Sequence, residues 1–257
     1  MDAIISAGGV VKEKGLLSGI LAPGTRKAML ELAGKPMIQW ELDAVANVDA
    51  IDDVIIIGLN PDDGLKCGQK QIHYISDAGG LIDNFKAGAS KVLEIHPDSQ
   101  RTFWFSSDVP LIRPEMIEWL IGISDQTDHD VYYPIIEQQV MKNRYPESRR
   151  TYTRLKDMAV CGGDFGIFKP SVAAGAHPAL PKISVARKSV AKQAALVGIW
   201  PLLILLTRQM TLLRASKFIR KRLDLDLAFV NCPYAETGMD VDKPFQYEIV
   251  QKELETL

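Results

Sequence analysis

"MDAIISAGGVVKEKG", residues 1–15, decides how the rest of the chain is read. The apolar run Ala3-Ile4-Ile5 passes through Ser6 into Ala7-Gly8-Gly9 and then toward lysines. An apolar, β-branched run that ends in glycine predicts a buried strand followed by a turn with open backbone. At the glycines no Cβ shields the amides, so successive N–H groups are available to an anion, and Lys12 and Lys14 lie close by in sequence. A plain tight turn explains the same residues equally well. The spacing is neither GxGxxG nor GxxxxGK[ST], so neither the dinucleotide fingerprint nor the P-loop applies.

Working outward, strands of the same kind recur between helices. "DDVIIIGL" (52–59), "QIHYIS" (71–76) and "DVYYPII" (130–136) read as strands, and "TFWFSSDVPLI" (102–112) as a strand running into a loop. Apolar residues at helical spacing mark helices from about Pro36 to Val48, over 81–95 (LIDNFKAGASKVLEI) and over 113–124 (RPEMIEWLIGIS); Pro36 and Pro114 suit a first helical turn. Strands alternating with helices predict an α/β fold with a mixed, mostly parallel sheet. Ligands of such sheets bind beyond the carboxyl ends of the strands. The places to inspect are therefore Gly8-Gly9, Asp77 to Gly80, and Ser106 to Pro110.

Composition narrows the class. The chain has 257 residues, 47% hydrophobic and 24% charged, with a formal net charge of −2. That is ordinary globular composition, and the balance gives no reason to expect a nucleic-acid partner. Cys67, Cys161 and Cys232 lie far apart without a CxxC pair, which argues against a disulfide framework or zinc ribbon and fits a reducing cytosol. The four histidines form no HxxxH or HExxH pattern. Residues 1–15 lack the basic region of a signal peptide, so a cytoplasmic protein is expected.

Three motifs in order carry a family resemblance: Ala7-Gly8-Gly9 after the first strand with Lys27, Gly34, Lys35 and Pro36 to follow; "FSSDVPLI" after a central strand; and "MDVDKPFQYEIV" near the C-terminus. Over residues 1–170 and 225–257 the chain resembles the MobA-like nucleotidyltransferases, relatives of the sugar-1-phosphate and methylerythritol-phosphate enzymes. The resemblance implies a three-layer α/β/α, Rossmann-like fold of the GT-A type. It implies attack of a substrate phosphate on the α-phosphorus of a nucleoside triphosphate (NTP), with pyrophosphate leaving. It also assigns roles. Ala7, Gly8, Gly9 and Lys12 would hold the triphosphate, with Ser107 among the nucleotide contacts. Lys27 would face the α-phosphate, and Asp108 would hold Mg²⁺ with Asp242. Asp240 competes for that place, since Asp240-Val241-Asp242 puts both carboxylates on one side of an extended segment. Gly79, Gly80 and Asn84 would read the base. Arg154, Gly163 and Asp164 would touch a small phosphorylated acceptor, with Arg149 and Arg150 beside them. Each has a plainer reading: Asp108, Asp240 and Asp242 as caps or turn residues, Lys27 as a solvated lysine, 77–80 as a strand-to-helix turn, and 145–170 as an exposed arginine-rich hairpin.

Two features depart from the family pattern. An arginine usually follows the glycine pair closely, whereas here Gly24-Thr25-Arg26 comes directly before Lys27. Either Lys12 or Lys14 replaces that arginine, or the loop is remodelled. From Lys182 to Arg222 the chain carries ten lysines and arginines and no acidic residue, around the apolar run "AALVGIWPLLILL". That run is too short for a transmembrane helix. It predicts a helical insertion at about 181–223 within one domain whose core is 1–180 and 224–257. The insertion reads as a packing or dimer element, as a cationic lid, or as a basic patch on an anionic membrane. The expected function is Mg²⁺-dependent transfer of a nucleoside monophosphate (NMP) unit from an NTP. A GT-A glycosyltransferase and a nucleotide-binding regulator without catalysis remain as alternatives.

Overall fold

The computed structural model of the chain describes residues 1–13, 15–17, 19–175 and 198–256. Strand β1 (Asp2–Ser6) lies inside the sheet. It is followed by a small hairpin, β2 (Glu31–Leu32) and β3 (Lys35–Pro36), then by helix α1 (Met37–Ala46) and strand β4 (Val54–Ile57). Strand β5 (Ile72–Ile75), helix α2 (Leu81–Ile95), strand β6 (Thr102–Ser106) and helix α3 (Pro114–Ser124) complete the first half. β1, β4, β5 and β6 are strands the alternation predicts; the short hairpin of β2 and β3 is not. β1 pairs in parallel with β4 and β6, and β4 in parallel with β5.

The second half is built differently. Strand β7 (Val131–Glu137) and helix α4 (Gln138–Arg144) lead to β8 (Thr153–Arg154), β9 (Ala159–Gly162), β10 (Phe165–Phe168) and α5 (Pro170–Ala174). From residue 198 onward come α6 (Ile199–Leu206), α7 (Leu212–Leu223), β11 (Leu227–Asn231) and α8 (Pro244–Leu254). β9 and β10 act as one bent strand. Both run antiparallel to β7, β9 opposite Ile135–Glu137 and β10 opposite Val131 and Tyr132, with the bend at Gly163-Asp164. β11 lies parallel on the other edge of β7. The sheet order is β5-β4-β1-β6-β10-β7-β9-β8, with β11 on β7.

Side-chain parity shows why this is a three-layer structure. Val54, Ile55, Ile56 and Ile57 are all fully buried, so both faces of β4 are covered. Ala3, Ile5, Val54 and Ile56 pack in one cluster with Met37, Leu42, Met116, Leu120 and Val250, from α1, α3 and α8. Ile4, Ile55 and Ile57 point the other way, toward Ala89, Val92 and Ala173 of α2 and α5. Each such side chain contributes roughly 1.5–3 kcal/mol relative to exposure. The fold is α/β with a mixed, mostly parallel sheet.

The expected insertion falls outside the described residues as far as 197; over 198–223 it is α6 and α7. α7 lies beside β11. Among the described residues no helix is long and apolar enough to cross a membrane.

Candidate active site

Three loops meet at the carboxyl ends of the parallel strands. Asp108 lies two residues beyond β6, in a turn tied by backbone bonds: Ser106 N–H donates to Asp164 O at 2.9 Å, Asp164 N–H to Thr237 O at 2.9 Å, and Val241 N–H to Asp108 O at 2.9 Å. The bend between β9 and β10 and the segment before α8 are thus pinned to the Asp108 loop.

Lys27 sits at the centre. Its Nζ donates to Asp108 Oδ2 at 2.6 Å and also to Asp242 Oδ1. Ser106 Oγ holds the other oxygen of Asp108 at 2.6 Å. Burial works against the lysine charge, but Asp108 and Asp242 outweigh it and hold the ammonium well above the ordinary lysine range. Burial likewise opposes the Asp242 charge, and Lys27 brings its pKa below the ordinary range. Valine 241 is fully buried, so the extended segment fixes both flanking carboxylates.

Asp240 faces a different cation. Arg150 Nη1 donates to Asp240 Oδ1, and Gln246 Nε2 donates to the same oxygen at 3.1 Å. Arg150 Nη2 reaches Gly162 O at 3.2 Å and Asp164 Oδ2 at 3.4 Å. Burial, with Asp108 and Asp242 nearby, pushes Asp240 up to about 6 despite Arg150. Burial and the charges of Asp108 and Asp240 push Asp164 up to about 8. The carboxylates therefore fall into two sets, Asp108 and Asp242 on Lys27, and Asp240 and Asp164 on Arg150.

The glycine loop packs against the next strand end. Ala7 is buried, and its N–H donates to Ile57 O at 2.8 Å. A Cβ on Gly8 would lie 2.6 Å from the Asp77 carboxylate, whereas one on Gly9 would meet nothing within 4 Å. Arg26 Nη1 donates to Gly8 O at 3.0 Å, and Lys27 N–H to Gly9 O at 2.8 Å. The loop doubles back on itself, with Val11 N–H on Thr25 O at 2.9 Å, and this return brings Arg26 and Lys27 to the glycines despite their distance in sequence. Lys12 is exposed on the loop; Lys14 lies outside the described residues.

The expected base-reading loop is an internal network. Asp77 Oδ1 accepts from Gly79 N–H at 3.0 Å and Asn84 Nδ2 at 2.9 Å, and Asn84 Oδ1 accepts from Ala78 N–H at 2.7 Å. Both ends of the Asn84 amide are used by the loop itself, so Asn84 shapes it. Those hydrogen bonds bring the Asp77 carboxyl below the ordinary carboxylate range. Gly79 is exposed with φ 86°, and Gly80 caps α2. Ser107 is buried, with its N–H on Ser6 O at 3.3 Å.

On the remaining side a polar pocket of about 290 Å³ is lined by Arg149, Arg150, Asp240, Asp242, Lys243 and Gln246. Arg149 has φ 50°, unusual for a residue with a Cβ. Its guanidinium and Lys243 Nζ lie over the Phe245 ring, at 5.2 and 5.8 Å from the centroid. Gly163 N–H is tied to Pro134 O at 3.0 Å. Arg154 is exposed on β8 and lines neither this pocket nor the Lys27 cluster.

Glu41 was not singled out in the sequence. It is fully buried on α1, and its Oε1 accepts from Val109 N–H at 3.0 Å, behind Asp108. Its Oε2 has no partner. Burial and the Asp108 charge raise its pKa well above the carboxylate range. The signal was available: Met37, Ile38, Glu41, Leu42 and Val45 form one helical stripe, and only one of them is acidic.

This geometry defines a class: an α/β protein with a glycine turn, a lysine and converging carboxylates at the carboxyl ends of its parallel strands. The chain belongs to the MobA-like NTP transferase domain family, whose pattern matches residues 13–215. It is 26% identical over 149 residues to a probable molybdenum cofactor guanylyltransferase from Natranaerobius thermophilus, covering 53% of this chain and 60% of that protein. Its structure is similar to that of a hypothetical transferase from Thermus thermophilus, with TM-score 0.80 and 25% identity over 96% of this chain and 98% of that one. A 4-diphosphocytidyl-2C-methyl-D-erythritol synthase from Anaerococcus prevotii shares the fold at TM-score 0.60 and 14% identity, over 99% and 95% of the two chains.

Proposed function

We propose that this chain transfers the NMP unit of an NTP to a small phosphorylated acceptor, releasing pyrophosphate. The observation that carries this reading is Lys27 Nζ shared between Asp108 and Asp242 beside the open face of Gly9. A cation already occupies the space on which two hard oxygen donors converge. That donor set suits Mg²⁺, which takes one or two carboxylates and completes its shell with phosphate oxygens and water. Asp108 and Asp242 would hold the ion, which when bound neutralises charge on the phosphates.

The protein's own residues do the rest by position. The turn from Gly8 presents backbone toward the triphosphate, and Lys27, drawn toward the α-phosphate, stabilises charge that grows as the acceptor oxygen attacks. Gly79 and Gly80 offer the backbone edge for the base. In the polar pocket Arg150 is already committed to Asp240 and Asp164, so Arg149 and Lys243 are the cations that meet the acceptor phosphate, and guanidinium suits that anion bidentately.

A thermal-shift panel of ATP, CTP, GTP, UTP and dTTP with and without Mg²⁺ tests this. One triphosphate should stabilise the wild type only with Mg²⁺, by roughly 2.7 kcal/mol at a hundred times its Kd, and Asp108→Ala should abolish the shift. Stabilisation by nucleotide sugars and by no triphosphate would overturn the reading. Acceptor phosphates are then screened by pyrophosphate release.

A further inference from the structure

We propose that the acceptor is an amphiphile, with its phosphate in the polar pocket and its apolar part in a cavity beneath α6 and α7. This rests on the transferase reading above. The cavity is about 400 Å³ and lies between the two helices and the sheet face formed by β7, β9 and β11; Tyr133, Ile135, Leu205, Phe218, Ile219 and Phe229 line it. The space is apolar and of the size of a small-molecule pocket.

Its position ties it to the site. Cys161 and Gly162 line both this cavity and the polar pocket. Gly162 O accepts from Arg150, and a Cβ on Gly162 would collide with the Tyr133 hydroxyl. One glycine thus separates the charged groups around Asp240 from the apolar space. A ligand spanning this seam has an anionic end and a hydrocarbon or ring end.

The outer surface of the same helices points to where such a ligand comes from. Trp200, Leu203, Leu206 and Leu213 are 72, 45, 77 and 65% exposed. Arg208, Arg214, Lys217 and Lys221 are exposed on the same two helices and the turn between them. Exposed apolar side chains beside cations suit the surface of an anionic bilayer, from which a lipid-like phosphate would be drawn.

The test is titration calorimetry of the full chain, without nucleotide, with ethyl, butyl, hexyl, octyl and decyl phosphate below their micelle thresholds. Affinity should rise roughly fourfold per methylene over the series. Two variants that fill the cavity from α7, Ala215→Phe and Leu212→Trp, should each flatten that rise while keeping the Mg²⁺–NTP thermal shift. A wild-type affinity that does not change with chain length overturns the proposal, as does a rise that survives both variants. Binding to anionic vesicles, or self-association, together with a flat series assigns the helices a surface role and also overturns it. A steep series with no triphosphate shift would leave the cavity's ligand class standing and sink the transferase reading instead, so the two failures are separable.

Discussion

On the side of β1, β4 and β5, parallel strands end in loops closed by hydrogen bonds between backbone and short polar side chains: Gly8 against Asp77, Lys27 N–H on Gly9 O, the Asp77–Asn84 network. On the side of β7, β9 and β11, the strands end in charged side chains, with Arg150 holding Asp240, Asp164 and the Gly162 carbonyl together. Closure by short, mutually satisfied hydrogen bonds makes a cradle with one shape. Closure by ion pairs makes a pocket whose charge depends on protonation and which a few substitutions can retune. On the function proposed above, the first suits the triphosphate and the second the acceptor. Lys27 stands on the border, its backbone in the first system and its ammonium between Asp108 and Asp242.

The border residues give the largest expected effect. Lys27→Ala should lower the rate of pyrophosphate release about 10²–10³-fold, the usual cost of one preorganised group aimed at developing charge. Its stability should hold, because Ser106 still holds Asp108. Rate and melting temperature measured on the same preparation separate the two; a collapse of both would make Lys27 a structural ion-pair residue.

A matched pair of substitutions tests the cradle. Gly8→Ala should destabilise by about 1–3 kcal/mol, since its Cβ would lie 2.6 Å from Asp77. Gly9→Ala, with nothing within 4 Å, should leave the melting temperature within error yet weaken triphosphate binding. Equal stability for both would show that the loop is not held by Asp77.

The charged side answers to pH. Asp164 is pushed up to about 8 from an unfolded value near 3.9. Between those values the unfolded chain binds fewer protons than the folded one, so stability falls as pH rises from about 4 to 8 and then levels. Asp164→Asn removes that loss while Asp240 keeps Arg150 paired. The side chain of Asp164 keeps 30% of its exposure, and solvent screening limits the effect. Relative to wild type the variant should gain about 1 kcal/mol at pH 8 and little at pH 4, read from denaturant curves at both pH values. A gain independent of pH would assign it to packing.

The same division governed what could be read in advance. In the first half, buried parallel strands are continuous apolar runs such as Val54–Ile57, and the helix over 81–95 ends where its spacing ends. Asp108, Lys27 and Asp242 each stand at a fixed place in a motif, and the fold brings the three side chains together. In the second half β11 escaped notice: LAFVN is short and only half buried, and its pairing with β7 lies about a hundred residues away in the chain. The bend that turns β9 into β10 depends on Gly163 meeting Pro134, a contact no local pattern encodes. Arg154 was grouped with Arg149 and Arg150 by composition, but β8 leaves it exposed while Arg150 enters the pocket.

Glu41 supplies the smallest expected effect and a close check on how Asp108 is held. Its Oε1 takes the Val109 N–H, its Oε2 has no partner, and its pKa lies well above the ordinary range. Glu41→Gln keeps the accepting oxygen and the shape, so stability and pyrophosphate release at pH 7 should stay within about 0.5 kcal/mol of wild type. Glu41→Leu deprives the buried Val109 N–H of its acceptor and should cost about 1–3 kcal/mol. Because the loop that carries Asp108 loosens with it, the loss should appear in Mg²⁺-dependent triphosphate binding as well as in melting. If Gln proves as damaging as Leu, the carboxylate is charged, and Lys27, whose charge favours that form, is the cation that balances it.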